Sequence, residues 1–112
     1  MAKEIAAALD GNSIVIKKAS EFSATDLLPA EILFLGCEEP SPASFSYLEE
    51  LLQHINLIGR PCGIFSPDSK KAIKYLSGIV ASSEAVCYSS PLFAEDIKGI
   101  KKWTTGVIAA KN

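Results

Sequence analysis

The sequence predicts an α/β fold: an open parallel sheet of about four strands with helices on both faces. Short apolar runs alternate with longer segments whose apolar residues recur at steps of three and four, the signature of strand followed by helix. The run Ile32-Leu33-Phe34-Leu35 is apolar without a break, as a strand covered by helices above and below must be. Strands joined through helix-length connections close into a parallel sheet with right-handed crossovers.

The elements follow in order. Residues 1–10 (MAKEIAAALD) read as a short helix, and Ser13–Lys17 as the first strand, centred on the β-branched Ile14-Val15-Ile16. Lys18–Ala30 carries Ser, Thr, Asp and Pro and reads as a loop with one helical turn at Ala24–Leu28. Its length is about the dozen residues a parallel crossover requires, so direct pairing of Ser13–Lys17 with the next strand, Glu31–Gly36, is feasible, the alternative being a slot between them. Phe45, Leu48, Leu51, Leu52 and Ile55 make one helical stripe, with Ser46 and Glu49 placed as a capping box and Gly59 as terminator. Pro61–Ser66 is the third strand. Asp68 or Ser69 then caps a helix whose stripe is Ala72, Ile73, Leu76, Ile79 and Val80. Glu84–Ser89 is the fourth strand. Phe93, Ile97, Ile100, Trp103 and Val107 make the last stripe, with Trp103 as a core anchor.

Size and composition bound the function. A chain of 112 residues, 48% hydrophobic and 21% charged, is expected to form one domain over 1–112 with a single core. A net charge of −2 argues against nucleic acid or an anionic membrane as partner. No apolar run approaches the roughly 20 residues of a membrane span, and no secretory leader is visible, so a cytoplasmic location is expected. Cys37, Cys62 and Cys87 are evenly spaced along the chain, which tracks the strand–helix period and not the spacing of metal ligands. Reduced thiols fit that compartment.

No catalytic constellation is legible. The single His54 lies in a helical segment and has no Ser or Cys partner in the pattern. Cys37 follows Gly36 at the carboxyl end of a strand, where open α/β sheets place their ligands, and is the one candidate nucleophile. Its loop has neither the glycines nor the arginine that would gather a phosphate, and Glu38 and Glu39 would repel one. A non-enzymatic domain is therefore expected.

The order of elements resembles a flavodoxin without its first strand. MAKEIAAAL is similar to the helix that follows the family's Ser/Thr-rich phosphate loop. EILFLGCEEPSPASFSYLEELL is similar to its third strand, first flavin-contacting loop and next helix, and GRPCGIFSPDS to the strand that leads into the second flavin loop. The resemblance implies a flavodoxin-like sheet with the first strand missing. If FMN binds, it implies contacts from Cys37, Glu38, Glu39, Pro40 and Ser41 on one side and Ser66, Pro67, Asp68 and Ser69 on the other. The family's phosphate loop, a cradle of backbone N–H groups at a helix N-terminus, has no counterpart here, and neither ring-side loop contains an aromatic. Tight FMN binding by this chain alone is thus not expected. The expected role is binding or assembly around a degenerate FMN site; the alternative is an FMN electron carrier completed by upstream residues or by a partner chain. Loss of an internal strand alters a sheet edge, so a homo-oligomer or a protein partner at that edge is expected as well.

Overall fold

The computed structural model describes residues 1–9 and 14–110. In chain order the elements are α1 (Ala2–Ala8), α2 (Ala24–Leu27), β1 (Leu33–Gly36), α3 (Ser46–His54), β2 (Pro61–Ser66), α4 (Lys70–Ala81), β3 (Val86–Cys87), β4 (Leu92–Phe93) and α5 (Ile100–Ala109). Turns of 3-10 helix lie at Ala19–Glu21, Ala43–Phe45 and Ala94–Gly99. None of the helices described is long and apolar enough to cross a membrane.

The sheet has four strands, and β2 is its centre. On one side β1 runs parallel to it, with Leu33 opposite Cys62 and Gly36 opposite Phe65. On the other side β3 pairs with Pro61 and Cys62, and β4 with Phe65 and Ser66, again in parallel. Side chains alternate across the pleat. Leu33, Leu35, Cys62 and Ile64 enter a core with Leu27, Leu48, Leu52, Leu76 and Val80. Ile32, Phe34 and Phe65 meet Ile5, Leu92, Trp103 and Val107 in a second core. Thus α2, α3 and α4 cover one face and α1 and α5 the other, the α/β parallel architecture the sequence predicts.

Four local expectations are corrected. Ser13 lies outside the described residues, and Ile14–Lys17 forms no strand: Ile14, Val15 and Ile16 are 39%, 63% and 55% exposed. A strand needs a ladder partner, and among the described residues this segment has none. The connector instead folds on itself, with Lys17 Nζ 3.0 Å from Asp26 Oδ1 and Asp26 accepting from the Ser23 amide at the start of α2. The expected Glu84–Ser89 strand shortens to β3 at Val86–Cys87, and pairing with β2 resumes only beyond it, at β4, which takes Phe93 out of the last helical stripe. Ser46 is the first residue of α3 rather than its cap, and its hydroxyl donates back to Ala43 O at 3.1 Å. Gly59, at φ 78°, serves the turn into β2, since α3 has already ended at His54.

Trp103 sets the distance between α5 and the sheet. Its ring packs against Phe34 with centroids 5.6 Å apart, and its Nε1 donates to Ser90 O at 2.7 Å. The facing position on β2 is Gly63, where an added Cβ would lie 2.8 Å from the Trp103 ring and 2.9 Å from a Val107 methyl. Gly63→Ala should therefore destabilise the fold by about 1–3 kcal/mol through overpacking. Gly78, on an exposed turn of α4, has open space where its Cβ would be. Gly78→Ala should stabilise by about 0.5–1 kcal/mol through helix propensity. Urea unfolding of both variants checks the opposite signs.

Candidate functional site

Open α/β sheets gather ligands beyond the carboxyl ends of their strands. There β1 and β2 end side by side, and a cleft of about 180 Å³ opens between them, lined by Met1, Gly36, Cys37, Glu38, Phe65 and Pro67. Of the residues expected from the sequence, Cys37, Glu38 and Pro67 come together here. Glu39, Pro40 and Ser41 lie farther out on the exposed loop, which turns at Ser41 with φ 50°. Asp68 is exposed and caps nothing. Ser66 and Ser69 form the turn into α4. Buried Ser66 accepts from the Ser69 amide at 3.3 Å, and the Ser69 hydroxyl accepts from the Ala72 amide at 3.0 Å as the cap of α4.

Gly36, Phe65 and Met1 also line the cleft. Phe65 belongs to a strand and therefore reads as core in the sequence. Its ring lies across Gly36, so close that a Cβ at Gly36 would sit 2.2 Å from it. The signal for that contact is long-range: Gly36 and Phe65 are register partners on neighbouring strands. The aromatic surface that the two loops lack is thus supplied by a strand end. The Met1 amino group is 3.2 Å from Glu4 Oε2. The lining offers a thiol, a carboxylate and an aromatic ring, and no lysine or arginine.

A second, wider depression of about 340 Å³ opens beside the break between β3 and β4, where Lys70, Lys74 and Ser77 of α4 face Cys87, Ser89 and Pro91. It exists because β3 stops after Cys87 and pairing resumes only at Leu92. Among the described residues no group of His, Cys, Asp and Glu could hold a metal ion.

The thiols are tuned against reactivity. Burial raises the Cys37 pKa above its ordinary value; the Glu39 carboxylate adds to this, while the Glu39 amide opposes it. Burial likewise raises Cys62, which is fully enclosed, and half-buried Cys87, where a hydrogen bond from Ser77 opposes it. The thiolate is the nucleophile, so at neutral pH Cys37 should react with iodoacetamide more slowly than an unstructured cysteine. Cys62 should stay unmodified until the protein unfolds. Mass-spectrometric rates at each position test both statements, and a Cys37 that outpaces a free thiol would restore it as a nucleophile.

No family model and no curated protein sequence matches the chain. Solved structures do. The chain is similar to a short-chain flavodoxin associated with a PDU bacterial microcompartment, with a TM-score of 0.82 and 15% identity over 99% of this chain and 88% of that one. It is also similar to the flavodoxin of Streptococcus pneumoniae TIGR4, with a TM-score of 0.77 and 18% identity over 96% of this chain and 87% of that one. At these identities the likeness is one of fold. With parallel strands around β2, helices on both faces and a cleft at the strand ends, the chain has the flavodoxin-like fold.

Proposed function

We propose that this chain is a flavodoxin-like domain that keeps the geometry of the ring-side loops around a degenerate FMN site and acts through binding or assembly, not catalysis. The observation that carries this reading is the cleft between β1 and β2. Its volume of about 180 Å³ is smaller than the roughly 300–1,000 Å³ of small-molecule sites. A phosphate ester needs converging amides or a cation. The cleft presents the Glu38 carboxylate and no basic side chain, and the amino group of Met1 in its lining is already paired with Glu4 at 3.2 Å. The residues present suit the edge of a flat ring, through Phe65, Pro67 and the backbone of Cys37, but not the whole of FMN.

One observation favours a second reading, FMN-dependent electron transfer with a phosphate site supplied by upstream residues or a partner chain. Cys37 and Glu38 from one expected flavin loop and Pro67 from the other line a single cleft, and both similar structures are flavodoxins. A bound flavin would supply the redox chemistry, while the protein would orient the ring and exclude water from it.

Titration of the purified chain with FMN, followed by quenching of flavin fluorescence, separates the two. The binding-module reading expects no quenching at micromolar protein. Saturable quenching at that level would overturn it in favour of electron transfer.

A further inference from the structure

Among the described residues, two parts of this chain are suited to pairing and have no partner. One is the outer edge of β1. Among the described residues β1 is hydrogen-bonded only to β2, and no other backbone hydrogen bond involves residues 31–37. Its side chains are already sorted, with Leu33 and Leu35 in one core and Phe34 in the other. The other is Ile14-Val15-Ile16, three consecutive β-branched residues, all exposed and outside any regular element. Ile14–Lys17 makes no backbone hydrogen bond among the described residues. An open edge and an apolar extended segment are the two halves of a strand-addition interface.

We infer that two copies of this chain associate by reciprocal strand exchange, Ile14–Lys17 of each adding in parallel to the free edge of β1 in the other. Charge decides the direction. With Ile14 opposite Leu33, a parallel register sets Lys17, paired with Asp26 in its own chain, opposite Gly36 and carries Lys18 alongside Cys37 and up to Glu38 and Glu39. Both glutamates are exposed and, among the described residues, have no ion-pair partner. An antiparallel register sends the two lysines toward Glu31 alone. The composition agrees, because an added strand between two helical layers must be apolar on both faces, which Ile-Val-Ile is. The exchange is isologous: each copy gives a strand and receives one, so the assembly closes as a dimer in which β1 of each copy is paired along both of its edges.

This inference gives the assembly reading above a partner but is argued from the β1 edge and Ile14–Lys17 alone, so the FMN titration can fail or succeed without touching it. Sedimentation of the full chain across micromolar to millimolar concentrations should show a monomer–dimer equilibrium. Ile16→Pro removes an N–H from the exchanged segment and should weaken the dimer by about tenfold or more, a step of about 1.4 kcal/mol. Its monomer should keep the wild-type circular dichroism and melting temperature, because Ile16 packs into neither core. Lys18→Glu and Glu39→Lys should each be monomeric alone, since each sets like charges together, and an equimolar mixture of the two should recover the dimer. The inference is overturned by a strictly monomeric wild type, by a dimer indifferent to these substitutions, or by slow amide exchange at residues 14–16 in a monomer, which would place the segment on its own β1.

Discussion

Everything in this molecule is arranged around the double pairing of Pro61–Ser66. The strand is hydrogen-bonded along both edges and covered on both faces, so nearly all of it is buried. That position limits the residues it can hold. Proline is tolerated at the first position, where a missing N–H costs least. Glycine is needed at residue 63 because α5 approaches there through Trp103. The one hydroxyl, Ser66, is buried with its oxygen spent on the Ser69 amide. Both cores meet on this strand, and the cleft opens at its carboxyl end beside that of β1.

The entry to that strand also holds the irregular connector. Arg60, the residue before β2, sends its guanidinium to the carbonyls of Leu27, Leu28 and Ala30, at and just beyond the end of α2. Helix ends leave carbonyls without intrahelical partners, and a planar cation with several donors satisfies several at once. Lys17 and Asp26 tie down the other side of the same loop. The connector is thereby stable as a compact turn, and Ile14–Lys17 is left beside the fold rather than in its sheet. On the opposite side of β2, a short last strand resumes after a gap and leaves the wider depression against α4.

The chemistry at the strand ends follows from the same packing. Phe65 fills the space that Gly36 leaves and walls the cleft with an aromatic face. Partial burial pushes the Cys37 thiol pKa up, against the Glu39 amide, and the Glu39 carboxylate adds to the rise. Between α3 and α4, the Tyr75 hydroxyl donates to Glu49 Oε2 at 2.8 Å, which helps hold the helices that flank the two loops at a set separation.

The sequence by itself determined the class of fold, most of the helical stripes and the strand end that borders the cleft, because each is written in local pattern. Ile32–Leu35 must be covered on both faces, Leu48 and Leu52 must turn inward, and Cys37 and Pro67 must follow strand ends. Only the tertiary structure decided the rest, because it depends on pairing between distant residues. Ile14–Ile16 has every local property of a strand and is not one, since a strand exists only with a neighbour to complete its ladder. Val86–Cys87 and Leu92–Phe93 are separate because β2 pairs with each at a different register position. Phe65 belongs to the cleft because its register partner is the glycine at residue 36, a relation between two strands that neither segment carries alone.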